Sequence, residues 1–420
     1  MFELRPEQKK ALDFVMASKL NNVALLCPTS FGKTVLAKAL SSAFKGKRVV
    51  IITYSNALVR QFLQDFNLPF FIGAKHYTNT ATYQAAMNNA KYSPVVLMNP
   101  ASYMRYRESG FPPFDVAVID EADSCIGVFE LQTGRAFAYD HEYVTEQIAS
   151  KVVSQTNAQL GESIRVHPGK FWLQVELSKI HGKMANTLVV RDLYLSNFRK
   201  MLPEKTILMS GTLFPSHVNQ LLSGEEYDYY EAPSPIPPER RPIHAFTEDV
   251  FDGTTEGLEA MIRAVLGYYT DRPAVLHCSY SDSRALASST EFQAYFDKED
   301  KLMAFSKLKG TEGALLAAGA TTGLDLVGDR CRLNVILRGA FQSLGSDLVQ
   351  KRLCLPGGSV WYKEEVLRQC IQAVGRACRT PTDFGRSVIT DVRVVRMLAQ
   401  EAHNLPKYFA EALEFLSWKE

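Results

Sequence analysis

The stretch Leu25–Thr34, "LLCPTSFGKT", decides how the rest of the chain is read. It approaches the G-x-x-x-x-G-K-[ST] phosphate-binding pattern, with Cys27 in the place of the first glycine. Such a loop needs backbone N–H groups converging on an anion, a lysine for the β and γ phosphates, and a hydroxyl for Mg2+. Pro28, Thr29, Ser30, Phe31 and Gly32 would form the cradle, with Lys33 and Thr34 as the lysine and the hydroxyl. The apolar run "NVALLC" before it reads as a strand, and "TVLAKALSSAF" after it carries apolar residues at helical spacing. The loop therefore falls at a helix N-terminus. Cys27 is compatible with this reading if the residue there need not adopt positive φ.

Outward from the loop, strand and helix patterns alternate. "KRVVIITY", "SPVVLMN" and "FDVAVIDEAD" read as buried strands, and "ALVRQFLQDF" as a helix. That rhythm implies a parallel sheet covered on both faces, with ligands at the carboxyl ends of its strands. It breaks over 124–205, where "YVTEQIASKVVSQTNAQL" and "ANTLVVRDLYLSNFRKML" predict a mainly helical insertion. "TILMSGTLFP" then supplies another buried strand, so 1–123 and 206–232 form one α/β domain. The proline-rich stretch at 233–245 is the linker candidate. The rhythm resumes in "PAVLHCSY", "LMAFS", "GALLAAG", "RLNVILRG" and "GRSVITDV", giving a second α/β domain over 246–420 with a helical tail.

Bulk properties narrow the class further. The chain has 420 residues, 46% hydrophobic and 22% charged, which suits two or three domains with cores of their own. A formal net charge of +2 requires any polyanion-binding surface to concentrate its Lys and Arg locally. Seven scattered cysteines do not make a disulfide framework and fit a reducing compartment. The start "MFELRPEQKK" lacks an apolar signal core and no run is long enough to span a membrane, so a cytoplasmic protein of a bacterial cell or phage-infected host is expected.

Two further clusters carry chemistry. In "VAVIDEAD" the strand delivers Asp120 and Glu121 at its end, where one acid would hold Mg2+ and its neighbour would orient a water. In "QAVGRACR", Gln372, Arg376 and Arg379 lie close in sequence, and two arginines three apart share one face if the segment is helical. Adjacent guanidiniums call for an anion between them, as an arginine reaching a γ-phosphate does.

Gly-Lys-Thr, Asp-Glu-Ala-Asp, "SGTL" and "QAVGRACR", in this order, resemble motifs I, II, III and VI of superfamily 2 helicases. "GATTGLDLVGDRCRLNVILRGAF", with Gly323, Asp325 and Gly328, is similar to the motif V region of the XPD/DinG group. "TDFGRSVITDVR" resembles that group's ending, here Asp383, Gly385, Asp391 and Arg393. "LRPEQ" is similar to its entry motif, with Arg5 and with Gln8 as the adenine reader, while "TYSNALVRQ" and "LHCSYSDSRAL" occupy the places of motifs Ia and IV.

The resemblance implies two tandem RecA-like P-loop domains with parallel sheets, binding ATP and Mg2+ in the cleft between them. Lys33, Thr34, Asp120 and Glu121 would do the chemistry, with Gln372, Arg376 and Arg379 contributed by the second domain and Gly323 and Asp325 at the nucleotide. Ser210, Gly211 and Thr212 would couple hydrolysis to nucleic acid. The implied partner is single-stranded or forked DNA, with RNA as an alternative, acted on by a monomer that unwinds duplexes. A translocase that remodels R-loops or protein–DNA complexes, or an ATP-dependent clamp, are the other readings.

Departures from the group are informative. Asp123 stands where the group has His, and no cysteine lies between Thr34 and Asp120 to hold its iron–sulfur cluster, so none is expected. The 124–205 insertion falls where relatives carry an arch domain. Within it Lys170 and Trp172 belong to a basic–aromatic cluster that could grip a strand or pack the insertion's own core.

Overall fold

The computed structural model describes residues 3–418 apart from 134–135, 140, 181–182, 196–197, 249–253, 287–292, 296–312, 319–329 and 379. Two compact units emerge: Met1–Leu25 with Lys33–Tyr230 and Leu344–Gly358, and Leu26–Gly32 with Glu231–Ser343 and Ser359–Glu420.

The first unit is built on a seven-stranded sheet. Its strands are β1 (Asn22–Leu26), β2 (Val49–Thr53), β3 (Phe70–Phe71), β4 (Val95–Met98), β5 (Val116–Asp120), β9 (Lys205–Ser210) and β10 (Asp228–Glu231), in the order β10-β1-β9-β5-β2-β4-β3. β5 runs parallel to β2 on one side and to β9 on the other. The continuous apolar runs "NVALL", "VVIIT" and "VAVID" are buried along their whole length, as strands covered on both faces must be. The helices are α1 (Pro6–Ala17), α2 (Lys33–Ala43), α3 (Asn56–Phe66), α4 (Thr80–Tyr92), α5 (Pro100–Glu108) and α6 (Ala122–Thr133). Side-chain caps start several of them: Ser55 accepts from Leu58 N–H at α3, and Asn99 accepts from Ser102 N–H at 2.7 Å with Pro100 at the first helical position of α5.

The insertion differs from its helical expectation. β6 (Ala136–Ala138), β7 (Phe171–Ile180) and β8 (Lys183–Asp192) form an antiparallel sheet in the order β6-β8-β7, joined by α7 (Glu146–Ser154) and α8 (Ala158–Val166). The segment "ANTLVVRD" is strand because Leu188 and Val190, alternating at period two, are both fully buried. A core of Phe137, Tyr139, Ala149, Val153, Ile164, Phe171, Leu188 and Val190 unites helices and sheet. The chain returns through β9 to α9 (Pro215–Leu222).

The second unit holds another seven-stranded sheet: β11 (Ile243–Phe246), β12 (Ala274–Cys278), β13 (Gln293–Tyr295), β14 (Ala314–Ala318), β15 (Leu333–Ile336), β16 (Arg386–Ile389) and β17 (Leu413–Leu416). The order is β13-β14-β12-β15-β16-β11-β17, and every neighbouring pair is parallel. Its helices are α10 (Thr255–Tyr268), α11 (Tyr280–Ala285), α13 (Gly358–Val374), α14 (Val392–Gln400) and α15 (Lys407–Ala410), while α12 (Asp347–Leu353) groups with the first unit. Two expectations change here. β11 begins at Ile243, inside the stretch read as linker, and the tail finishes in β17, which pairs with β11. The "LMAFS" strand lies outside the described residues.

Both units are thus α/β with parallel sheets, the tandem RecA-like architecture. Among the described residues no helix is long and apolar enough to cross a membrane.

Candidate active site

The carboxyl ends of β1, β5 and β9 assemble the site, and β9 lies between the other two. After β1 the chain makes a short 3-10 turn at Thr29–Phe31, passes through Gly32 in the left-handed region (φ 82°), and enters α2 at Lys33. Glycine is required at that turn because a Cβ is disfavoured at positive φ. Cys27 is buried in the core and is not among the described residues with positive φ, so no glycine is needed there. Ser30 and Phe31 are buried, which fixes the loop from beneath. Thr29, grouped with the second unit, donates its hydroxyl to the Gly375 carbonyl at 2.8 Å. Thr34 follows Lys33 in the first turn of α2.

Lys33 is 7% exposed, and its Nζ lies 3.2 Å from Oε1 of Glu121. Asp120 ends β5 and is buried; its Oδ1 has no hydrogen-bond partner. Burial raises the Asp120 carboxyl to about 7, helped by the neighbouring Glu121 charge and opposed by Lys33. A buried, unpartnered carboxylate oxygen beside a lysine fits a divalent cation shared with phosphates. Among the described residues no set of three or more His, Cys, Asp or Glu side chains could hold a metal unaided. Glu121 takes φ 51°, a strained conformation for a residue with a side chain, at the position assigned to the attacking water.

Asp123 opens α6 and is buried. It accepts hydrogen bonds from Ser210 Oγ at 2.6 Å and Thr212 Oγ1 at 2.5 Å. Ser210 Oγ also lies 3.4 Å from Oε2 of Glu121. The fourth residue of the Asp-Glu-Ala-Asp run is therefore a clasp between the β5 and β9 loops. Gly211 sits between its two donors.

The remaining sequence-derived residues are less concentrated. Gln8 is buried in the first turn of α1, and its Oε1 accepts from Arg5 N–H at 2.9 Å, closing that turn. In the second unit Gln372 is buried near the end of α13. That helix stops at Val374, with Gly375 and Arg376 in the following turn. Asn334, which bonds His277 at 2.8 Å, donates to the Ala373 carbonyl and caps that helix end. Arg379, Gly323, Asp325 and Gly328 lie outside the described residues. Trp172 is 9% exposed, with the Arg191 guanidinium 5.0 Å over its ring, so it is committed to packing. Lys170 lies 5.6 Å from the Tyr194 ring.

Sequence reading missed a buried ion pair behind the site. Glu130, two turns along α6 from Asp123, pairs with Arg352 of α12 and accepts from Gln220 of α9 at 2.8 Å. Burial raises the Glu130 carboxyl, and Arg352 opposes the shift. The partners are more than 200 positions apart, and no local pattern links them.

Residues 5–153 match the family described as DEAD/DEAH box helicase, and residues 276–412 match the helicase C-terminal domain. No curated protein sequence matches the chain. Among solved structures, an apo XPD structure is similar with a TM-score of 0.63 at 15% identity, covering 98% of this chain and 100% of that one. The Xpd4 structure from S. tokodaii gives 0.60 at 14% identity, with 98% and 100% covered. The DEAD-box helicase Mss116 bound to single-stranded RNA gives 0.50 at 14% identity, with 99% and 75% covered.

Proposed function

Because the chain belongs to the superfamily 2 helicases, ATP-hydrolysing enzymes with an XPD-like fold, we propose that it moves along single-stranded DNA and unwinds duplexes as it hydrolyses ATP. The observation that carries this reading is the clasp from Asp123 to Ser210 and Thr212, one residue removed from the Lys33–Glu121 pair. A change in charge at Glu121 is felt at once by the β9 loop, which gives hydrolysis a rigid outlet.

In this reading the backbone N–H groups of Thr29–Thr34 and the Lys33 ammonium hold the phosphates, with Pro28 shaping the entry to the loop. Asp120 and the Thr34 hydroxyl would hold Mg2+, which would supply charge neutralisation at the phosphate oxygens. Glu121 orients the attacking water and takes its proton. Arg376 and Arg379 are assigned to the charge that develops on the transferred phosphoryl group, a contribution of roughly 10³-fold or more in rate. Gln8 and Arg5 are assigned to adenine, and Gly323 and Asp325 to the nucleotide from the second domain.

The test is steady-state ATP hydrolysis with no polymer, single-stranded DNA, single-stranded RNA and duplex, beside Lys33→Ala and Arg379→Ala. Stimulation by single-stranded DNA that both variants lose is the expected result. Hydrolysis indifferent to every polymer would refute it, and preferential stimulation by RNA, the polymer in the Mss116 structure, would reassign the track.

A further inference from the structure

Asn334 is an amide where a buried strand calls for an apolar side chain. It belongs to β15, "LNVI", which is buried along its whole length and is the central strand of the second sheet, between β12 and β16. Asn334 is fully buried, and His277 on β12 is buried as well. His277 lies opposite Ile336 in the register, so it projects from the same sheet face as Asn334, two residues earlier on β15. The other face carries the apolar core of Ala274, Leu276, Leu333 and Val335. Burying two polar side chains in the middle of a sheet is costly unless each finds a partner.

The partners form a directed chain. The Asn334 amide nitrogen donates at 3.0 Å to the carbonyl of Ala373, in the last turn of α13. Its amide oxygen can only accept, so His277, 2.8 Å away, donates to it through an Nε2 that carries its hydrogen. The same Ala373 carbonyl accepts the backbone N–H of Arg376 at 3.3 Å. One oxygen therefore joins the sheet to the turn that carries Arg376. Along α13 the buried side chains Val366, Leu367, Cys370 and Ile371 hold the helix by apolar contact, which is non-directional. The hydrogen bonds add what that contact lacks, a fixed direction as well as a distance.

We propose that Asn334, oriented by His277, is a positioning residue for Arg376 in the hydrolytic step, an inference that rests on the role given to Arg376 above. Asn334 touches no substrate in this account. It holds the carbonyl on which the Arg376 backbone hangs, and so sets where the arginine side chain starts. Removing the amide frees that carbonyl and lets the turn shift. A displacement of about 1 Å at a group that acts on the transition state is enough to cost about 10²-fold in rate. Nucleotide affinity is carried by the phosphate loop and Lys33 in the same reading, so binding should change little.

The experiment uses the full chain and compares Asn334→Leu, similar in volume but without the amide, with Arg376→Ala and with the two combined. His277→Leu and the conservative His277→Gln, which keeps a donor, form a second set, each alone and with Arg376→Ala. Steady-state ATP hydrolysis is measured with and without single-stranded DNA, and binding with a fluorescent ATP analogue. The expected result for Asn334→Leu is kcat lower by about tenfold or more, with KM for ATP and analogue affinity within about twofold of the parent. The combined variant should be no slower than Arg376→Ala, because both changes remove one contribution. His277→Leu should follow Asn334→Leu, and His277→Gln should stay close to the parent. Unchanged kcat in Asn334→Leu overturns the positioning role, as does a rise in KM alone. Losses that multiply in the combined variant overturn it too, because Asn334 would then act on something other than Arg376. If Asn334→Leu does not fold, the His277 set decides by the same criteria. Arg376→Ala as active as the parent removes the role given to Arg376, and the positioning role with it. Parent hydrolysis that ignores DNA refutes the helicase reading alone, and the kcat comparison without DNA still decides the positioning role.

Discussion

The hydroxyl of Thr212 donates to the carboxylate of Asp123 at 2.5 Å, joining the loop after β9 to the helix after β5. Both side chains are buried, so water cannot replace the bond. Thr212→Val keeps the shape and removes the donor. It should cost about 1–3 kcal/mol in urea denaturation, and should lower fork unwinding far more than stimulated ATP hydrolysis. Equal losses in both activities would show that the clasp serves catalysis rather than transmission.

Lys33 and Glu121 separate binding from chemistry. Glu121→Gln keeps a side chain of the same shape and removes the base, so hydrolysis should fall about 10²–10⁴-fold while a fluorescent ATP analogue still binds. Lys33→Ala should lose the analogue as well. Retained hydrolysis in Glu121→Gln would move the base elsewhere.

The Glu130–Arg352 pair gives a stability prediction. Either single alanine strands a buried charge and should cost about 3–5 kcal/mol. Glu130→Leu/Arg352→Leu removes both charges and should cost less than either single change. Denaturant midpoints of the three variants decide it, and a double variant as unstable as the sum of the singles would refute the account.

Thiol chemistry should be silent in the native protein. Burial raises the thiols of Cys278, Cys331, Cys370 and Cys378 to about 12, and Cys27 and Cys125 are buried as well. Cys354 alone among the seven is exposed. A disulfide-exchange reagent at pH 8 should therefore titrate one thiol before denaturation and seven after it.

Asp391 should govern part of the acid response. Burial pushes its carboxyl upward, but hydrogen bonds from Arg393 and the Gly339 N–H outweigh it, and the net shift is downward. A depressed folded value means the contribution is fully present above the ordinary carboxyl value of about 3.9 and is lost as pH falls through the folded value. Asp391→Asn should lower stability at pH 7 and flatten its decline below pH 4, read from denaturation midpoints across that range.

Much of this site was legible because its parts are local. Each strand is a short apolar run that ends on its functional residue: Leu26 before the loop, Asp120 at the acids, Ser210 at the turn. Cys27 could be accepted at a glycine position because only Gly32 bears the positive φ. The insertion was misread because "ANTLVVRD" holds apolar residues at both helical and alternating spacings, and only its partner strand β7 decides between them. Arg376 follows α13 rather than lying on it, because the helix ends at Val374 ahead of Gly375. Glu130 and Arg352 had no signal at all, since tertiary pairing across such a separation leaves no periodicity.

The position of β9 has a consequence for how the protein is made. This strand seats between β1 and β5, yet the whole insertion separates it from β5 in the chain. At the usual pace of synthesis, roughly 4–17 s pass between the emergence of Asp120 and that of Lys205. During that interval the nascent sheet has a gap at its centre, with the ribosome still holding the piece that fills it. The insertion, which has a core of its own, can fold while the sheet waits. Variants that slow or destabilise it should therefore show their defect in yield from the ribosome before they show it in activity.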